Sequence, residues 1–111
     1  MPPLLSVVLI VHNEEAHLAG CLASIRELAD EIVVLDDGST DATISIATQA
    51  GARVAMRPFD DFGRQKQAAL EMATGTWILS VDADERVTPA LAREIARVVR
   101  SETAADGDWL R

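Results

Sequence analysis

The sequence is short of basic residues, cysteine and aromatics, and each shortage excludes something. Ten Lys and Arg stand against eighteen Asp and Glu, a formal net charge of −8. Binding to a phosphate backbone wants clustered cations, so no nucleic-acid partner is expected. The single cysteine, Cys21, rules out an internal disulfide and a cysteine-based metal centre, which suits a reducing compartment. Aromatics make up only 4% of the residues, so the core must be mostly aliphatic. The apolar stretch Leu4–Val11 is too short to span a bilayer, and no basic segment precedes it. A cytoplasmic location is the expectation.

What is present is a well-patterned globular chain. Its 111 residues, 49% hydrophobic and 25% charged, suffice for one domain that buries roughly 60–70% of its unfolded surface. Four apolar runs stand out: "LLSVVLIV" (4–11), "EIVVLD" (31–36), "ARVAM" (52–56) and "TWILSVD" (76–82). The first, second and fourth are nearly continuous rather than alternating, as in parallel strands covered on both faces.

Helical periodicities separate these runs. Leu18, Cys21, Leu22, Ile25 and Leu28 form one stripe, with Asn13 as the expected N-cap and Glu14 and Glu15 in the first turn. Gly20 within it costs about 1 kcal/mol against Ala, which predicts a close packing contact there. A second helix carries Ile44, Ala47 and Ala50, capped by Ser39 or Thr40 and stopped by Gly51. A third carries Phe62, Lys66, Ala69, Leu70 and Ala73, stopped by Gly75. Thr88 and Pro89 open a fourth with Leu91, Ile95 and Val98. The β-α alternation predicts a parallel sheet covered by helices on both faces, a three-layer α/β/α fold, and with the acidic residues at the strand ends the expected order is 3-2-1-4. Residues 76–81 are expected to be an exposed edge that invites pairing, hence a homodimer. The tail 101–111 reads as polar and turn-like until Trp109.

Ligands of open parallel sheets bind beyond the carboxyl ends of the strands. Those ends here read His12-Asn13-Glu14, Asp36-Asp37-Gly38-Ser39, Arg57-Pro58 and Asp82-Ala83-Asp84-Glu85. Bland readings compete with functional ones. Asp36 and Asp37 before Gly-Ser-Thr suit a turn as well as a ligand. Glu14 suits a helix dipole, Lys66 a solvated flank, Arg57 a loop and Cys21 the core. His12 and His17 have no company at a metal-ligand spacing. Asp82 and Asp84 are harder to dismiss, because two carboxylates one residue apart after a buried strand face one side. Hard oxygen ligands of that kind suit Mg²⁺ or Mn²⁺ carrying a diphosphate.

The segments "SVVLIVHNEE", "EIVVLDDGSTDAT" and "GRQKQAALEMATGTWILSVDADE", in this order, resemble the family 2 glycosyltransferases of the GT-A fold. The resemblance covers residues 5 to about 100, and "RPFDDFGRQKQAAL" with "DADERVTP" resembles the lipopolysaccharide core glucosyltransferase-like branch most. It implies a nucleotide-sugar donor, a UDP-sugar first, and a glycan or lipid-linked acceptor. Asn13 and Glu14 would lie at the nucleotide pocket, and Asp37 or Asp36 would receive the base or ribose. Asp82 and Asp84 match the DxD motif, with Asp84 the metal ligand and Asp82 nearer the ribose. Lys66 and Gln67 stand where many relatives have Arg-Asn, which keeps a charge for phosphate but loses the bidentate fork.

The resemblance also implies a second half that binds the acceptor, supplies a catalytic base and often continues into membrane-associating segments. On that basis residues 1–111 are expected to be the single donor-binding domain of a longer transferase, at the inner face of the membrane. No catalytic base is assigned, and Glu85 is a poor candidate because it sits on the metal side. The alternative is a nucleotide-binding domain without catalytic competence. "DADER" also resembles the nucleophile loop of haloacid dehalogenase-type phosphatases, but position 86 is Arg where Thr or Val is needed. A response-regulator receiver would need a phosphoacceptor Asp where Met56 ends the third strand.

Overall fold

Near-continuous apolar strands need cover on both faces, and the helices supply it. A computed structural model describes residues 3–102 and 109–110. The elements run β1 (Leu5–Val11), α1 (Leu18–Ile25), β2 (Glu31–Asp36), α2 (Thr43–Gln49), β3 (Arg53–Met56), α3 (Phe62–Met72), β4 (Trp77–Ser80), α4 (Pro89–Ser101) and β5 (Trp109–Leu110). All strand pairings are parallel, in the order β3-β2-β1-β4-β5. β1 divides its residues between two cores. Leu5, Val7, Leu9 and Val11 pack with Leu18, Cys21, Leu22, Ile25, Ala47 and Val99 from α1, α2 and α4. Val8 packs on the other face with Val33, Leu35 and Ala69, under α3. The expected three layers and the 3-2-1-4 order are both present.

The fifth strand corrects one expectation. Trp109 and Leu110 pair with Ile78 and Leu79, so β4 is not the open edge on which a homodimer was expected. A two-residue strand is too short to carry a periodic signal, and the crossover through α4 returns the chain to β4. Of the turn-like tail, residues 103–108 lie outside the described residues.

Helix starts also differ from the sequence pattern. α1 begins at Leu18, not after Asn13, and has no acidic residue in its first turn. Asn13 instead adopts a left-handed φ of 50°. Its backbone N–H donates to Ser39 Oγ at 2.8 Å, and its Oδ1 accepts from Thr40 N at 2.8 Å. Tertiary partners in the loop after β2 therefore outbid the local cap. Neither Ser39 nor Thr40 caps α2, which starts after Ala42 without a side-chain cap; Ser39 Oγ and Thr40 N bond to Asn13, and Asp41 Oδ1 accepts from Thr43 N at 2.9 Å. Gly51 does end α2, at φ +86°, with its N–H returning to Thr48 O. α3 is capped by Asp61 and ends at Met72, short of Gly75. Gly75 serves close approach instead, because a Cβ there would lie 2.8 Å from Ser6 N. Thr88 and Pro89 open α4 as expected, with Thr88 Oγ1 accepting from Leu91 N at 3.1 Å. No helix among the described residues is long and apolar enough to cross a membrane.

Candidate functional site

Parallel strands put every carboxyl end on one edge, so His12, Asp36, Asp37, Asp82 and Asp84 share it. Register fixes the levels: Val11 pairs with Asp36, and Val8 with Ser80. Strand order reverses between β2-β1 and β1-β4, which makes β1 the switch point where such sheets bind ligands.

Beside β1 and β2 lies a cleft of about 210 Å³ lined by Ile10, Val11, His12, Glu14, Asp37, Phe59, Phe62 and Gln65. His12 Nδ1 contacts Asp37 Oδ1, which aims the Asp37 carboxylate at the cleft. Phe59 and Phe62 are 54% and 60% exposed, an unusual placement for two of so few aromatics. Gln65 is buried and ties the wall together. Its Oε1 accepts from Arg57 Nη1 at 2.8 Å and its Nε2 donates to Arg57 O at 3.0 Å. Arg57 also pairs with Asp60 at 2.8 Å, so it shapes the loop before α3.

The two adjacent aspartates have different jobs. Asp36 is 0% exposed. Its Oδ2 accepts from Gly38 N at 2.8 Å and Ser39 N at 2.7 Å, and Ser39 Oγ donates to its Oδ1. Asp36 thus builds the turn that presents Asp37, and buried as it is, it offers no surface for the base or ribose. The loop is fastened to the β1 end by Asn13 and by Glu14 N, which donates to Thr43 Oγ1 at 2.8 Å. Asn13 therefore braces the cleft without lining it.

Lys66 reaches the same edge from α3. Its Nζ donates to Ser80 Oγ at the end of β4 and lies 5.7 Å from the Phe62 ring centroid. Gln67 points away, toward Glu71.

Beyond β4 the chain turns. Val81 and Ala83 are buried on the α1 side, whereas Asp82 and Asp84 are exposed. The carboxylates therefore keep the alternation of the strand although the strand ends at Ser80. Glu85 Oε1 accepts from Asp82 N at 2.7 Å and closes the turn. Asp84 is not the cap of α4, a role held by Thr88. Cys21 lies beneath, with Sγ 3.5 Å from Asp82 O. Burial pushes its thiol up to about 11, helped by Glu85, Asp84 and Asp82 and opposed by Arg86, so it is an inert core residue.

The described residues contain no group of three or more His, Cys, Asp and Glu arranged to hold a metal. Two carboxylates without a third still fit Mg²⁺ or Mn²⁺, which take one or two protein carboxylates and fill the shell with water and phosphate.

The glycosyl transferase family 2 model matches residues 6–110. This chain belongs to that family. Among curated relatives of this family 2 chain is the lipopolysaccharide core biosynthesis glycosyltransferase LpsC of Rhizobium meliloti, 41% identical over 92 residues, covering 78% of this chain and 34% of LpsC. Glucosyl-3-phosphoglycerate synthase of Mycobacterium tuberculosis, solved with Mn²⁺, UDP and glucosyl-3-phosphoglycerate, superposes with a TM-score of 0.62 at 34% identity, over 71% of this chain and 33% of that one. The S. aureus protein TarS gives 0.75 at 25% identity, over 89% and 33%. These neighbours show the GT-A fold. The chain spans about a third of the length of the curated relatives it matches first.

Sequence pattern places His12 on the ligand edge but gives it no partner, assigns nothing to Phe59 or Gln65, and gives Phe62 only helical periodicity. His12 carried one signal, its place at the end of the first strand. Gln65 carried none, because its burial depends on where Arg57 folds back.

Proposed function

We propose that this chain is the donor-binding part of a glycosyltransferase that uses a nucleoside-diphosphate sugar, a UDP-sugar first, with Mg²⁺ or Mn²⁺. The observation that carries the reading is the common edge. The cleft with Asp37, Glu14, Phe59 and Phe62 suits a nucleoside, with an acidic acceptor for its N–H and O–H groups and flat apolar walls for its rings. Lys66 suits a phosphate as a point charge. Asp82 and Asp84 would hold the cation, Asp84 directly and Asp82 beside the ribose. The cation would neutralise charge developing on the leaving diphosphate. The UDP and Mn²⁺ in the M. tuberculosis synthase support the same assignment.

In the complete reaction, an acceptor hydroxyl would displace the diphosphate at the anomeric carbon after losing its proton to a base. Glu85 is not assigned that role, since its carboxylate already closes the turn at Asp82 N. This chain accordingly supplies donor binding, and transfer is proposed for the longer protein, with a cell-envelope glycan as acceptor on the strength of the LpsC likeness. The proposed place of action is the cytoplasm or the inner face of the membrane.

The test is ligand-dependent melting. Wild type should gain thermal stability with UDP and Mn²⁺ together, more than with either alone. Asp84→Asn should remove the Mn²⁺ dependence and leave the unliganded melt unchanged or higher, because it relieves repulsion with Asp82 and Glu85. A wild type that responds to no nucleoside diphosphate, with or without Mn²⁺, would sink the proposal.

A further inference from the structure

The acidic turn is anchored to α1 by contacts on both sides of its carboxylates. Cys21 Sγ meets Asp82 O at 3.5 Å, and Val87 N donates to Ser24 Oγ at 3.1 Å. Between them Arg86 folds back over its own turn. Its Nη1 donates to Ala83 O at 3.2 Å and to Glu85 O at 2.9 Å. The guanidinium lies directly on Gly20. A Cβ at that position would come within 2.6 Å of Nη2, 2.7 Å of Nε and 2.8 Å of Cζ. Glycine is a poor residue for the middle of a helix, and here its missing side chain is what makes room for the guanidinium.

We propose that Arg86, seated on Gly20, is a positioning residue that holds Asp82 and Asp84 in place for the cation and diphosphate; the proposal rests on the donor-site reading above. Two carbonyls on either side of Asp84 are tied to one nitrogen, so the backbone that carries the carboxylate is ordered before any ligand arrives. Preorganisation of this kind lowers the cost of ordering the ligands on binding.

The sign of the effect separates positioning from simple electrostatics. Removing a positive charge near two carboxylates should, through space alone, strengthen their hold on a cation. Loss of positioning should weaken it. Gly20→Ala keeps the charge but evicts the guanidinium, and Arg86→Met removes the charge but keeps most of the stem.

The experiment measures Mn²⁺ affinity of the 111-residue chain in the presence of UDP, from the signal of free Mn²⁺ in electron paramagnetic resonance. Melts and amide exchange of residues 82–86 are recorded without metal. Arg86→Met and Gly20→Ala should each weaken Mn²⁺ binding by about 10-fold, the size typical of outer-shell losses. The double variant should be no worse than either single one, since both remove the same contact. Gly20→Ala should melt no lower than wild type while its turn amides exchange faster.

Mn²⁺ affinity unchanged or tighter in Arg86→Met, or two independent additive losses, would overturn the inference and leave the donor site standing. A lower melt with unchanged affinity would make Arg86 merely structural and also overturn it. Wild type that takes up no Mn²⁺ with UDP would overturn both readings.

Discussion

Asp36 and Asp37 are adjacent in sequence, yet the structure assigns one to folding and the other to the cleft, and truncating each to Ala should separate these roles. In Asp36→Ala the N–H groups of Gly38 and Ser39 and the Ser39 hydroxyl lose their acceptor. A stranded polar group costs about 1–3 kcal/mol when buried. Gly38 is exposed and Ser39 half-buried, so water recovers part of each loss, and the sum should be roughly 2–4 kcal/mol. For a chain of this length that lowers Tm by roughly 9–17 °C. Asp37 is partly exposed and contacts only the exposed ring of His12 among its described side-chain partners. Asp37→Ala should therefore melt within about 2 °C of wild type while losing the stabilisation by UDP. Scanning calorimetry of the three proteins, with and without UDP and Mn²⁺, gives both readouts. An Asp36→Ala protein as stable as wild type would refute the account of the turn. Equal destabilisation by both substitutions would refute the division of labour.

Other expectations concern the opposite edge and the core. Gly75→Ala would push a Cβ to within 2.5 Å of Ser6 Oγ and 2.8 Å of Ser6 N; it should cost about 1–3 kcal/mol in urea denaturation, and a neutral result would mean that the two segments part easily. Burial raises the Glu31 carboxyl, but hydrogen bonds from Ser6, Thr74 and Arg53 outweigh it and hold the group below its ordinary 4.5. A depressed folded value means the stabilisation is complete above 4.5 and is lost as pH falls through the lower folded value. Glu31→Gln should consequently flatten the acid limb of a stability-versus-pH curve, and an unchanged slope there would contradict the network. Cys21, buried and with its thiol raised to about 11, should resist a disulfide reagent at pH 8 until the protein unfolds. Stoichiometric labelling of the native protein within minutes would show that the acidic turn opens.

The sequence alone determined the architecture, because its signals are local and repeat within each element. β1, β2 and β4 were legible from unbroken apolar runs, α4 from Thr88-Pro89, and the end of α2 from Gly51. The right-handed crossover rule leaves a few orders open to four such strands, and the acidic strand ends together with the family resemblance select 3-2-1-4. Gly20 was legible as a contact point, although its partner was not. That partner, Arg86, stands 66 positions later, taking 86 less 20, and no periodicity links the two.

The same limit explains the other differences. Asn13 looks like a helix cap because Asn often is one, but its φ of 50° and its bonds to Ser39 and Thr40 depend on β1 lying beside β2. Asp36 and Asp37 are interchangeable in a string of letters. Only the pleat of β2 and the turn after it bury one carboxylate and aim the other at His12, 25 residues away. Lys66 could flank any helix until α3 packs on β1 and carries its Nζ to Ser80. β5 was illegible because two residues have no pattern, so their strand exists only where β4 offers unpaired backbone groups. Local pattern chooses strand or helix, whereas the site depends on which strand ends the sheet order brings together.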